Sequence, residues 1–492
     1  MTRLQVAGQE RARSTLSPRN VHGTPTGHRM SVIDIRATPH RVFRASHARV
    51  ALAATAFAVS ALHSSLMHAQ TTTLSLGDAA RLAAKQNGQV DVVRTRVDAA
   101  EARVQQRRGA LYPDLAAGIL QSGRTTNSAT FGFAFRDATG KPLLDPNGQL
   151  IGPIPTIDLR VRLQQPLVDL SSVAKWRAAQ SASEAALADV KAQADVAASA
   201  AAAAYVRAAR TESQVGARLA DSSLAADLVR IARDQLQAGV GIALDVTRAQ
   251  SQLAAVRAQL IGARNERDRA MLELKRVVGI ALDAPLVLRD SLGGLPMDNT
   301  TPNESAALAR AADSRADVRA LLALEASQQK TLTAIRWERT PQLGLVVDQG
   351  QLGKNWAHFL PTYTWGVQLS VGLFDGFRRE GRVQEQVAGT RETEAKLREL
   401  RAQSALEVRA AVLDLNAARE QLDAVRERLG LAEQEVAQAQ ERFRAGVAGN
   451  ADVITALLSL NQARTLRNDA LAAYHGARVS LARAMGAVQE LP

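Results

Sequence analysis

The sequence contains no cysteine. That excludes disulfide staples, thiolate metal sites and a lipid-modified N-terminal cysteine. Six of the eight histidines lie in the first 70 residues, leaving only His358 and His475 beyond them. A catalytic histidine set or histidine-metal cluster therefore has almost nothing to be built from, and neither an enzyme activity nor a cofactor is expected. Aromatic residues make up only 3% of the chain, which argues against a compact aromatic core and, with abundant alanine, favours helix. Beyond the first 70 residues no segment reaches the roughly 18 uncharged apolar residues that mark a spanning helix.

Basic charge is also scarcer than the formal total of +13 suggests. Residues 1–70 hold nine arginines against Glu10 and Asp34, so more than half of the surplus sits there. No basic face interleaved with aromatics remains in the rest, and no nucleic-acid partner is expected. The front segment reads instead as an export leader over residues 1–69. Arg41, Arg44 and Arg49 precede the apolar run VALAATAFAVSAL, Val50 to Leu62, with cleavage expected after Ala69 and Met30 as an alternative start.

What is present is a duplication. DQLQAGVGIALDVTRAQSQLAAVR, Asp234 to Arg257, is repeated as ERFRAGVAGNADVITALLSLNQAR, Glu441 to Arg464. Tyr112-Pro113-Asp114-Leu115 is echoed by Thr340-Pro341-Gln342-Leu343, Leu167-Val168-Asp169 by Leu373-Phe374-Asp375, and Val278-Gly279 by Met485-Gly486. Two structural repeats, 74–290 and 303–490, are thus predicted, joined by a linker at 291–302 whose glycines, prolines and asparagine mark a loop.

Each repeat switches period twice. Residues 75–110 and 303–338 have helical spacing. Ile157, Leu159, Val161 and Leu163 then alternate with Asp158, Arg160, Arg162 and Gln164, as Tyr363, Trp365, Val367, Leu369 and Val371 do with Thr364, Gly366, Gln368 and Ser370. Period two with one apolar face is a strand. Weaker alternations at Leu343, Leu345 and Val347 and at Leu115, Ala117 and Ile119 make four strands in two hairpins, with loops at 122–155 and 350–361. Very long helical tracts follow, broken only at the Ala-Gly-Val turns. In the second, Val408, Leu415, Leu422, Leu429, Val436 and Phe443 recur every seven residues, with Ala411, Ala418, Val425, Ala432 and Ala439 three residues after the first five. That is a left-handed coiled-coil seam with close approach at the alanines.

Such strands suit an outer-membrane barrel, yet four cannot close one, since the smallest barrels have about eight. The missing strands must come from other copies, two giving a barrel with little lumen and three giving twelve strands. The alternative is an exported coiled-coil structural protein without channel activity.

Over residues 74–490 the chain resembles the TolC family of outer-membrane efflux proteins, through LSLGDAARLAAKQN (74–87), YPDL (112–115), VGLFDGFRREGRV (371–383) and the two turns. The resemblance implies a mainly α fold with a small β part: a trimeric 12-stranded outer-membrane β-barrel, four strands per chain, continuing into an α-helical coiled-coil periplasmic tunnel. It implies a passive exit duct of a tripartite efflux pump or type I secretion system. The partners would be a homotrimer's other copies, outer-membrane lipid, a periplasmic adaptor and an inner-membrane transporter of RND or ABC type. It also gives Ala238, Gly239, Val240, Ala445, Gly446 and Val447 the role of adaptor-docking tips, which are otherwise plain helix-helix turns. Asp452 and Thr455 would form a ring at the periplasmic gate and Asp245 a linking partner; otherwise the two aspartates simply stabilise helix starts, with Asn450 as the second N-cap. Thr455 stands where many relatives have a second acid, and Ala448 where some have a basic residue.

Overall fold

The structure, a computed structural model, describes residues 72–132, 135–145, 147–297 and 303–492. The expected leader at 1–69, its alternative start and cleavage point, and the last five linker residues lie outside the described residues.

The elements run β1 (Thr72–Leu74), α1 (Leu76–Gln86), α2 (Gly88–Gly109), β2 (Asp114–Asn127), β3 (Leu150–Val168), α3 (Leu170–Gln237), α4 (Ala243–Val278) and β4 (Leu286–Leu288), then α5 (Glu304–Ser314), α6 (Ala316–Arg336), β5 (Gln342–Asn355), β6 (His358–Ser370), α7 (Arg378–Arg444) and α8 (Asn450–Ala484). The expected repeat is visible: helix pair, hairpin, long helix, turn, helix, twice. The two helical stretches at 75–110 and 303–338 are not continuous, however. Asn87 interrupts the first with extended backbone, its side chain accepting from Gln89 N at 2.8 Å and donating to Val277 O at 2.7 Å. Arg315 interrupts the second, drawn into a buried site where it pairs with Asp317 and Glu407 at 2.6 Å each.

Each long helix has an aspartate near its start that accepts a first-turn N–H, the N-cap itself being Asp169 in α3 and the left-handed Phe377 in α7. Asp169 accepts from Ser172 N at 2.9 Å at the head of α3, and Asp375 accepts from Arg379 N at 3.1 Å at the head of α7. At 68 residues α3 is about 100 Å long at ~1.5 Å per residue. The heptad seam of α7 is buried at Val408, Leu415, Leu422, Val436 and Phe443 and half-buried at Leu429, and Ala411, Ala418 and Ala432 are buried beside it.

The four longer strands form one antiparallel sheet in the order β2-β3-β5-β6. The two expected hairpins are therefore fused through β3 and β5, with Leu163 opposite Val347 and Arg162 opposite Asp348. The strands are also longer than nine to eleven residues, at 14, 19, 14 and 13. The loops shrink to 128–149 and 356–357 accordingly. One face carries Leu115, Ile119, Val161, Tyr363, Trp365, Val367 and Leu369, all exposed in the single chain, Trp365 by 69%.

A compact layer rests on one side of α3. Leu74, Ala79, Ala83, Leu286, Leu292 and Leu295 cluster against Ala197, Ala201 and Tyr205 of α3 and Leu274 of α4. The parallel pair β1-β4, absent from the sequence expectations, belongs to it. So does the first part of the expected linker, through Leu292 and Leu295, which are buried in the same cluster.

His475 of α8 is 1% exposed. Burial, reinforced by the nearby Arg478 guanidinium, pushes its pKa down to about 4. An unfolded imidazole titrates near ~6.5, so the unfolded chain takes up the extra proton first. Stability is then lost as pH falls from about 6.5 towards about 4. The unfolding midpoint should drop across that window, and His475→Leu should flatten the drop. Equal slopes in the two proteins would assign the effect to other groups.

Candidate functional site

Each Ala-Gly-Val turn closes a long helical hairpin with the same backbone pattern. Val240 N donates to Gln235 O and Gly239 N to Leu236 O, both at 3.1 Å; Val447 N donates to Arg442 O at 3.0 Å and Gly446 N to Phe443 O at 3.1 Å. These are paired six-to-one and five-to-two bonds around a left-handed residue, the arrangement that terminates a helix at glycine. Gly239 and Gly446 have φ of 73° and 72°, where a side chain costs roughly 1–2 kcal/mol. The following valine is turned outward, Val240 79% and Val447 69% exposed. Ala238 and Ala445 are the C-caps.

The two turns lie side by side. Gln235 Nε2 donates to Phe443 O at 2.9 Å, and Asn450 Nδ2 donates to Asp245 O at 2.7 Å. Asn450 is not the N-cap of α8; Gly449 is, and Asn450 is the first helical residue, fully buried between the hairpins. Below it Phe443, Val453 and Leu457 pack on Leu228, Val229 and Ala232.

The acidic positions are less closely joined. Asp245 is partly buried, with Arg248 4.0 Å away. Asp452 is exposed in the first turn of α8 and its carboxylate has no hydrogen bond or ion pair among the described residues. Thr455 is exposed one turn on, its hydroxyl donating to Ala451 O at 3.0 Å within its own helix. Within one chain, then, no side-chain bond joins Asp245, Asp452 and Thr455; the side-chain bonds that join the two turns are Asn450 to the Asp245 backbone and Gln235 to the Phe443 backbone.

Sequence reasoning missed the Asn450 contact, and a second one farther up. Asp221 of α3 is buried and accepts from Arg464 of α8 at 2.7 Å and from Arg218 at 3.2 Å. Arg218 also reaches Thr465 at 3.1 Å, and Asn468, itself buried, bridges to Ser213 at 2.9 Å. A comparison of the repeats could have flagged both sites, since Asn450 aligns with Ala243 and Asp221 with Arg428.

Among the described residues no helix is long and apolar enough to cross a membrane, and no group of His, Asp or Glu could hold a metal ion. The sheet is the part with a large exposed apolar face.

The model of the outer membrane efflux protein family matches residues 79–280 and 307–487, one segment for each repeat. The chain belongs to this family. Solved structures of outer-membrane channels and an outer-membrane protein show the same fold. The CmeC outer-membrane channel of Campylobacter jejuni is 17% identical, over 84% of this chain and 85% of that one, with a TM-score of 0.67. The outer-membrane protein VceC of Vibrio cholerae is 19% identical over 84% and 96%, with a TM-score of 0.65. The open state of the MtrE channel of Neisseria gonorrhoeae is 15% identical over 84% and 88%, with a TM-score of 0.66. No curated protein matches in sequence. As an efflux-family fold the chain places its two turns at the far ends of the helical hairpins and its sheet at the opposite ends of α3 and α7.

Proposed function

We propose that the chain is one third of a passive exit duct through the outer membrane, reached from the periplasm and opened there by an adaptor. The observation that carries this is the single sheet β2-β3-β5-β6. Its apolar face needs lipid, its outer edges β2 and β6 need partners, and three copies would join edge to edge into twelve strands. The helices would then close into a tunnel, and the periplasmic end would be formed by Ala238, Gly239, Val240, Ala445, Gly446 and Val447 docking an adaptor. An inner-membrane transporter of RND or ABC type would supply the energy, in an efflux pump or a type I secretion system. Family membership weighs against the exported structural coiled coil.

The test is the purified full chain: it should be a trimer in detergent, insoluble without it, and should conduct ions in a planar bilayer. A detergent-free monomer that conducts nothing would end this reading. In the same recordings Asp452→Asn should weaken cation preference. Three carboxylates converging on a narrow mouth attract cations and repel one another, and Thr455 adds no charge to them. Asp245→Asn should instead act on resting conductance, since its proposed role is linking. Unchanged ion preference in Asp452→Asn would leave that residue as a helix-start acid only.

A further inference from the structure

A groove of about 820 Å³ runs along α3 between α2 and α6, near the ends that carry the sheet. Its floor is small and apolar, with Ala178, Ala182 and Ala334. Its α2 wall is cationic. Helix α2 holds five arginines in all. Arg94 is paired with Asp91 at 2.7 Å and Arg108 lies 5.7 Å from the Tyr112 ring centre. The other three, Arg96, Arg103 and Arg107, are the ones that line the groove, and none has a hydrogen bond or ion pair among the described residues. At ~100° per residue they fall within a ~40° arc, while Asp91, Asp98 and Glu101 lie on the other side of the helix. The other cations at the groove, Lys175 and Arg382, are both held by Glu338, at 3.0 and 2.5 Å. Asp189 is the one remaining acid among the lining residues.

The placement of this groove follows from α3. Lys175, Ala182 and Asp189 continue at seven-residue spacing into Val196, Ala203 and Arg210, and all but Lys175 are exposed. At ~100° per residue Ala178 and Ala182 of the groove floor stand about 100–180° round the helix from Ala201 and Tyr205, which face the layer of α1, β1-β4 and residues 286–297. A duct must keep its inside clear, so that layer is outside and the exposed stripe with its groove is inside.

We infer that the groove is a lumenal subsite for amphipathic organic anions, the three guanidiniums taking the charged end and the alanine floor the apolar body. This rests on the duct reading. Its volume suits a drug-sized molecule, and guanidinium is the side chain suited to planar or tetrahedral oxyanions. The interaction is with exposed charge and is therefore screened by salt.

The probe is 8-anilinonaphthalene-1-sulfonate, titrated by fluorescence onto the full chain in nanodiscs of neutral phospholipid, with ethidium as the cationic comparison. Replacing Arg96, Arg103 and Arg107 together by glutamine should weaken the sulfonate dye by about tenfold, and raised salt should weaken it in the wild type. The triple lysine variant should retain most of the affinity, and ethidium should not bind more weakly to any variant. Equal dye affinity in the wild type and the glutamine variant overturns the subsite. So does a glutamine variant whose trimer is less stable while dye binding is unchanged, because the guanidiniums would then be meeting acids of a neighbouring copy. Bilayer conductance separates the two readings: a chain that conducts nothing defeats the duct, whereas a conducting channel with unchanged dye affinity defeats only the subsite.

Discussion

Val240→Asp and Gly446→Asp chains are expected to trimerise and reach the membrane fraction as the wild type does, yet export no more than cells lacking the protein. Both positions are free of packing: Val240 is 79% exposed, and a Cβ built at Gly446 meets nothing within 4 Å. The fold therefore has little reason to fail, apart from the roughly 1–2 kcal/mol that a side chain costs in left-handed backbone at residue 446. Docking is different. A valine buried by a partner contributes about 1.5–3 kcal/mol, and a carboxylate forced into the same apolar contact adds a desolvation cost instead. Three copies repeat that loss around the tunnel end. Gly446→Ala separates the causes, since it strains the turn without adding charge and should retain much of the export. Dye export from cells carrying adaptor and transporter, with crosslinking of adaptor to tip, makes the measurement. Full export and normal crosslinking in both aspartate variants would leave the turns as helix ends and nothing more.

The second large effect is expected at Asp221, and it is on stability. Asp221 is 7% exposed, and its carboxylate is held by Arg464 and Arg218. Asp221→Ala leaves two guanidiniums without their buried acid, and breaking a buried pair in this way typically costs about 3–5 kcal/mol. The midpoint of denaturant unfolding should fall accordingly. The combination Arg218→Met, Asp221→Leu and Arg464→Met should recover most of the loss, because removing every member of a buried ionic group is often neutral or better. If Asp221→Ala unfolds with the wild type, water reaches the site and the pair is worth little.

Residues that repeat or alternate could be read early, and residues that owe their role to a distant neighbour could not. Gly239 and Gly446 were legible because the same turn is written twice. The middle of β3 was legible at Ile157 to Leu163 because period two is strict there. Its beginning was not, since Pro153 and Pro155 suggested a loop. The register explains how those prolines fit: β5 pairs with β3 only from Ile157 onward, so the segment before it has a free edge where a missing N–H costs nothing. Asn87 and Arg315 broke helices that composition made continuous, each captured by groups far along the chain, Val277 O and Glu407. The contacts of Asn450 and Asp221 could not be read from their local sequence for the same reason. Their partners lie 205 and 243 residues away, and nothing local distinguishes them from surface polar residues.

The seam between β3 and β5 also sets an order of events during biogenesis. If the chain is exported N-terminus first, as the duct reading requires, β2 and β3 reach the periplasm as a hairpin before β5 does, and the strand that must pair with Leu163 arrives only with Val347. Closing so long a loop adds little to the equilibrium cost, because that term grows only as the logarithm of length. It does add waiting time, since non-local pairings form late. Throughout that interval an apolar two-stranded ribbon with an open edge would stand in water, exposed to association and proteolysis. Slowing translocation should therefore lower the yield of this protein more than that of one whose strands pair only with their neighbours in sequence.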